Sequence, residues 1–128
     1  MSYTPSIYKF KAPLYKTQVW VVVGSSVGKS IDYVEDLIDF KIHSDENRSS
    51  TRAYTYSYVA ENHKQRALLF FKEGAKAGEI AHEVKHLINI LFSWYGVKLS
   101  TANDEHECYY LEQIIDKVHY YMDKHKKK

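Results

Sequence analysis

The sequence predicts one small α+β domain, in which a mixed or antiparallel sheet of three or four strands packs against helices. Two patterns in the chain of 128 residues support this class. Short β-branched and aromatic runs bounded by turn residues predict strands, and apolar residues at helical spacing predict helices. Their order is β-β-α-β-β-α-α, and the length suits a single domain over residues 1–128, with a basic tail at about 124–128.

The first part of the chain predicts two strands and a helix. Residues 7–10 predict a short strand, and residues 17–24 (TQVWVVVG) predict a buried strand that ends at a glycine. The helix that follows carries apolar residues at helical spacing. Ser30 is its expected N-cap, with Asp32 and Glu35 in the first turns.

The middle of the chain predicts a β-hairpin. Residues 52–60 (RAYTYSYVA) predict a strand with Tyr54, Tyr56 and Tyr58 on one face, because side chains alternate along a strand. Residues 66–72 (RALLFFK) predict a second buried strand that pairs with it.

Two helices complete the predicted domain. The first runs from about 76 to 95 and is followed by Gly96 as a stop signal. The last runs from about 104 to 124. Its expected apolar stripe consists of Leu111, Ile114, Ile115, Val118, Tyr121 and Met122.

The stretch VWVVVGSSVGKS offers two interpretations, a phosphate-binding loop or a plain turn from strand to helix. A phosphate loop needs four residues between its glycines. Gly24 and Gly28 have three, and Val23 stands where the first glycine belongs. The turn is therefore favoured over a nucleotide site.

The composition argues against several classes of partner. A net charge of +2 gives no basis for a nucleic-acid surface, and the longest apolar runs, VWVVV and LLFF, are too short to cross a bilayer. The N-terminus lacks the apolar core of a signal peptide, so we expect a cytoplasmic protein with no membrane partner. The single cysteine, Cys108, fits a reducing compartment and is expected to be a buried small hydrophobe.

The sequence HEVKH places His82, Glu83 and His86 within the helix predicted near 76–95. Two histidines four residues apart lie on one helix face, so both imidazoles can reach one zinc ion. Glu83 lies about 100° further round the helix, where it can hold a water beside the metal and take its proton. Because apolar residues flank the motif, we expect it in a buried helix; the alternative is a half-exposed polar helix face without metal.

A third ligand is expected in NDEHECYYLEQ, where the candidates are Glu105, His106, Glu107, Cys108 and Glu112. If VKLSTA runs back along the preceding helix, Glu105 arrives beside His86. If the two helices instead form a tight hairpin, Glu112 lies nearer.

HEVKH, followed by 18 residues and then Glu105, resembles the gluzincin class of zinc metallopeptidases, HExxH-x18-E. The stretch from RALLFFK to the last helix also resembles small HExxH proteins of bacteriophages. The resemblance implies a minimal zincin-like domain with Zn²⁺ held by His82, His86 and Glu105, and with Glu83 as general base. Tyr109 is the first candidate for oxyanion donor, with packing against the preceding helix as its alternative. Further candidates for that donor lie on the strand, at Tyr54, Tyr56 and Tyr58.

Two functions follow from that resemblance as expectations. The first is a zinc-dependent peptidase that pairs an extended peptide or protein substrate with a strand at the edge of the sheet. The second is a virion or assembly component that contacts neighbouring phage proteins through tyrosine-rich faces and has a structural or vestigial metal. A toxin or regulator is a further alternative, because fold does not fix function.

Overall fold

The computed structural model describes residues 3–12, 17–42, 51–60, 64–97 and 104–127. Its strands are β1 (Ser6–Lys11), β2 (Gln18–Gly24), β3 (Ala53–Val59) and β4 (Gln65–Lys72). They form one sheet in the order β1-β2-β4-β3. β2 and β4 are parallel, and the two outer pairs are antiparallel. The predicted α+β class is therefore confirmed, as is the hairpin between β3 and β4. Of the sheets predicted, mixed or antiparallel with three or four strands, the chain forms a mixed one of four.

Three helices cover the sheet. They are α1 (Val27–Ile38), α2 (Ala77–Trp94) and α3 (Asp104–Lys126), so the predicted order of elements is also confirmed. α1 packs on one face of the sheet, and α2 and α3 pack on the other. Contacts of Phe92 with His106, and of Glu73 before α2 with His125, show that α2 and α3 run antiparallel.

The two central strands are buried on both faces. Val19, Val21 and Val23 of β2 face α2 and α3, whereas Trp20 and Val22 face α1. β4 alternates in the same way, with Leu69 and Phe71 on the first face and Leu68 and Phe70 on the second. Strands buried on both sides read as continuous apolar runs, as the parallel pair here does.

The start of α1 differs from the prediction. α1 begins at Val27, and its N-cap is Ser26, whose hydroxyl accepts a hydrogen bond from the Lys29 N–H at 3.2 Å. Ser30 lies inside the first turns, where its side chain contacts the Tyr3 hydroxyl at 2.8 Å. Ser30 as N-cap was therefore wrong, because an earlier serine reaches the free amides first.

The Tyr3 hydroxyl also fills the turn between β2 and α1. It accepts a hydrogen bond from the Ser26 N–H at 3.2 Å and donates one to the Ser26 carbonyl at 3.0 Å. A Cβ atom on Gly24 would lie 2.0 Å from that hydroxyl oxygen, so Gly24 is needed for this close approach. The Ser26 amide of this turn is thus hydrogen-bonded within the protein. This agrees with the interpretation of the stretch as a plain turn from strand to helix.

α3 corrects two further expectations. Tyr110, Ile114 and Val118 point into the core, so Cys108 lies on the opposite side of the helix and is exposed, not buried. His125 falls within the basic tail predicted at about 124–128, and a tail is expected to extend into solvent. Instead its Nδ1 lies 2.7 Å from the Ser6 hydroxyl, and its Nε2 lies 2.5 Å from a Glu73 carboxylate oxygen.

Within the described parts of the chain, none of the helices is both long enough and apolar enough to cross a membrane.

The revised helix start predicts a stability difference between neighbouring serines. Ser26→Ala removes the N-cap acceptor and should lower the free energy of unfolding by about 1 kcal/mol. Ser25→Ala, at an exposed position just before the cap, should change it by less than about 0.5 kcal/mol. Urea denaturation followed by circular dichroism measures both, and equal losses would contradict the assigned cap.

Candidate functional site

α2 presents the HEVKH motif at the β3 side of the sheet. The helix follows β4 after a turn in which Gly74 adopts a φ of 76°, a left-handed conformation that glycine tolerates. Of the three residues of the motif, His82 and His86 are exposed to solvent and Glu83 is buried. The His82 side chain is 67% exposed, whereas that of Glu83 is 11% exposed. The expected burial of the motif therefore holds for Glu83 and is wrong for the exposed His82 and His86.

The two histidine rings converge. Their Nε2 atoms are 3.2 Å apart, and the rings meet edge to face with centroids 4.8 Å apart. One turn of helix separates the residues, so both side chains lean over the same patch of surface. The arrangement suits either a shared metal ion or a direct hydrogen bond between two imidazoles.

Glu83 is fixed by a strand residue. The Thr55 hydroxyl on β3 lies 2.6 Å from Glu83 Oε1 and 3.2 Å from the Glu83 carbonyl oxygen. Since the hydroxyl serves Oε1, Oε2 is the oxygen that faces the histidines, at 3.9 Å from His82 Nε2. A buried carboxylate needs such a donor, because an unpaired one would lose its hydration without replacement.

A second contact, one helical turn away, ties α2 to β3. Arg52 Nε donates to Glu79 Oε2 at 2.8 Å, and the Lys76 N–H donates to Glu79 Oε1 at 2.8 Å. The Arg52 guanidinium holds the pKa of the Glu79 carboxyl below its usual value, and the Lys76 amide acts in the same direction. Together with Thr55 and Glu83, this pair fixes the distance between the strand and the first turns of the helix.

A small cleft opens between these two elements. It has a volume of about 320 Å³ and is lined by Ala53, Gly78, Glu79, His82 and Glu83. A Cβ atom on Gly78 would contact nothing within 4 Å, so the cleft is open directly above the helix backbone. Glu83 and one of the histidines therefore line a space that a ligand can enter.

The proposed third ligand is not assembled with the histidines. Among the described residues there is no group of three or more His, Cys, Asp or Glu side chains that could hold a metal ion. Glu105 and Glu112 are exposed on α3, and Glu107 forms an ion pair with Lys85. His106 stacks on Phe92 at 5.2 Å.

Two predictions about this end of the site have different outcomes. Tyr109 is 59% exposed, so its alternative role in core packing was wrong, whereas its role as oxyanion donor stays a prediction. Tyr110 is the residue that packs against Phe92 instead. The route of the segment before α3, on which the choice between Glu105 and Glu112 depended, falls on residues 98–103, which lie outside the described residues.

Sequence reasoning missed Thr55 as the partner of Glu83, and Arg52 as the partner of Glu79 one turn before the motif. The available signal was strand alternation, which placed Thr55 on the face opposite the three tyrosines. That pattern could show which face Thr55 occupies, but not that α2 would pack there.

Comparison of the chain with protein-family models, curated proteins and solved structures found no match.

The Thr55–Glu83 contact predicts a specific loss of stability. Thr55→Val keeps the shape of the strand residue but removes the hydroxyl, leaving a buried carboxylate without that donor. The free energy of unfolding should fall by about 1–3 kcal/mol at neutral pH.

The matched controls are Thr55→Ser, which keeps the hydroxyl, and Ser57→Ala, which removes one from the same strand. Both should lose less stability than Thr55→Val in urea denaturation. A Thr55→Val protein as stable as the Ser57→Ala protein would show that the contact contributes nothing.

Proposed function

We propose that this protein is a zinc-dependent peptidase in which His82 and His86 hold the metal and Glu83 is the general base. The observation that carries the proposal is the convergence of the two imidazole nitrogens beside a carboxylate fixed by Thr55. Bound zinc would supply Lewis acidity, which lowers the pKa of water and polarises a carbonyl group. The remaining chemistry would come from the side chains of the chain itself.

The spacing of the imidazoles fits this metal. Two nitrogens bound tetrahedrally at ~2.0–2.1 Å are about 3.3–3.4 Å apart. The Nε2 atoms of His82 and His86 are 3.2 Å apart. A hydrogen bond between the rings has a similar length, so measurement of metal content separates the two interpretations. Glu105 remains the proposed third ligand on the strength of its spacing in the sequence.

Glu83 has the arrangement that proton transfer requires. One carboxylate oxygen is occupied by the Thr55 hydroxyl, which fixes the orientation of the group. The other oxygen faces His82 and the cleft, where it would accept a proton from water and later donate it to the leaving amine. Because Thr55 contacts Glu83 and not the histidines, this orientation does not depend on metal.

The position of β3 favours an extended peptide as substrate. β3 is an edge strand of the sheet. Arg52 accepts a backbone hydrogen bond from Lys72, and Ala60 donates one to Lys64. By the alternation of an antiparallel ladder, every second residue between them turns its backbone groups away from β4. These residues are Ala53, Thr55, Ser57 and Val59. An added peptide strand would pair with them and lie beside Glu83.

The assembly component remains the second candidate, and one observation limits the form it takes. Tyr54, Tyr56 and Tyr58 stack along β3 and pack on the α1 side of the sheet. Those rings therefore make much of their contact with other residues of the same domain. Docking through tyrosines would instead involve the exposed Tyr109 and Tyr120 of α3.

The metal assignment predicts one zinc ion per chain in protein purified without a histidine tag. His82→Ala and His86→Ala should each abolish zinc binding. In the presence of zinc, both should therefore melt at a lower temperature than wild type, because binding energy adds to folding energy. Glu105→Ala should weaken binding more than Glu112→Ala does. Elemental analysis and calorimetric titration measure these effects, and zinc that stays bound in both histidine variants would exclude this site.

The enzyme assignment predicts that Glu83→Gln removes activity while keeping the fold. Glutamine can still accept the Thr55 hydrogen bond through its amide oxygen, but it is a far weaker base. Cleavage of a mixture of unstructured peptides, followed by mass spectrometry, should fall by about 10² or more. Zinc content should remain close to that of wild type. If zinc-loaded wild type cleaves none of the peptides, the peptidase proposal fails and the assembly role is favoured.

A further inference from the structure

A larger cavity lies on the opposite face of the sheet from Glu83. It occupies about 620 Å³ between the end of α1 and the β3–β4 hairpin. Tyr58 and Arg66 of the two strands lie along it, and Asp39 and Phe40 line it from the end of α1. Asp39 adopts a left-handed conformation with φ 53°, and this turn ends the helix at the rim of the cavity.

The lining of this cavity includes exposed apolar side chains. Phe40 is 39% exposed, and Val59 is 53% exposed. The Phe40 ring stacks on Tyr58 with a centroid distance of 4.7 Å, so the ring is fixed rather than loosely placed. Two exposed apolar side chains in the lining of a concave surface are typical of a binding site.

The lining also includes two cations, Lys64 and Arg66, and Arg66 is held in place by its neighbours. The Arg66 guanidinium lies 5.7 Å from the Trp20 ring and donates a hydrogen bond to the Tyr58 hydroxyl at 3.3 Å. Lys64 is exposed beside it. A second cavity of about 340 Å³ shares Lys64 and Arg66 and adds Lys11. The described residues that line the two cavities therefore include three cations and one acid, Asp39.

We propose that this cavity binds an acidic segment of a protein or peptide that carries an aromatic or large aliphatic side chain. The apolar side chain would pack between Phe40 and Val59, and neighbouring carboxylates would pair with Arg66 and Lys64. Because Arg66 is already held by Trp20 and Tyr58, little side-chain freedom is lost when it binds a carboxylate. The proposal goes beyond the peptidase function, since it requires neither zinc nor Glu83.

The observations favour an acidic peptide over a nucleic acid. Proteins that bind single strands combine a long basic groove with exposed rings on which bases stack. Here the described lining offers one exposed ring, Phe40, while Tyr58 is buried, and the net charge of the whole chain is only +2. Two cations in the cavity with the exposed apolar side chains, and a third in the neighbouring cavity, match a short segment with a few carboxylates better than a phosphate backbone.

The test is a binding measurement by fluorescence anisotropy on the full chain. The probe is a labelled peptide with one phenylalanine flanked by aspartate and glutamate residues. One comparison peptide replaces the acids with lysine, another replaces the phenylalanine with serine, and a labelled oligothymidylate serves as the nucleic-acid probe. The acidic phenylalanine peptide should bind most tightly, and its binding should weaken as salt concentration rises.

The matched variants are Lys64→Glu and Lys72→Glu, which make the same charge change at opposite ends of β4. Lys64→Glu should weaken binding of the acidic peptide at least about fivefold, because attraction becomes repulsion at the cavity. Lys72→Glu should change it by less than about twofold, since the 8 residues of β4 place Lys72 about 26 Å along the strand from Lys64, beyond a Debye length of ~8 Å. Val59→Ser should weaken binding without altering its dependence on salt.

Three results would overturn the proposal. They are equal binding of the acidic and lysine peptides, equal effects of the two charge reversals, and tighter binding of the oligothymidylate that depends on Lys64. Glu83→Gln protein stripped of metal should bind the acidic peptide as wild type does. The binding result therefore stands or fails separately from the peptidase proposal.

Discussion

The parallel pairing of β2 with β4 is the constraint from which the rest of the domain follows. Both strands are apolar on both faces, so each face must be covered by a helix. The connection from β2 to β4 supplies α1 for one face and leaves β3 as an antiparallel edge strand. The helix after β4 covers the other face, and this brings α2 alongside β3. The candidate site thus lies where α2, which covers one face of the sheet, contacts the edge strand β3.

Much of this architecture was predictable because it depends on local patterns. The continuous apolar runs of β2 and β4, the alternation in β3 and the stop at Gly96 each reflect a few neighbouring residues, and Gly96 indeed adopts a φ of 70°. The start of α1 was not predictable in the same way. Serine is a good N-cap, so the sequence alone does not choose between Ser26 and Ser30. In the structure Ser26 is the cap, and the hydroxyl of Tyr3, far away in sequence, bonds to the Ser26 backbone and the Ser30 side chain.

The candidate site was predicted less completely, because its contacts are not local. HEVKH identified the histidines and Glu83, but Thr55 lies 28 positions from Glu83, and nothing in the spacing connects them. The exposure of the histidines depends on how α2 is rotated against the sheet. That rotation places Glu83 toward β3 and leaves His82 and His86 on the outside. A buried carboxylate with a neutral hydrogen-bond donor, next to two accessible imidazoles, is an arrangement that only the packed helix and strand create.

The contact between Ser6 and His125 has a consequence for how the chain reaches its native state. These residues are 119 positions apart, and the stacked rings of Tyr8 and Tyr121, 4.7 Å apart, join the same two elements. β1 therefore lacks part of its packing until the last turns of α3 have left the ribosome. Contacts of such long sequence separation slow folding, since a large loop must close before any of them forms. During synthesis, the residues of β3 and Glu83 therefore emerge well before those that complete the packing of β1.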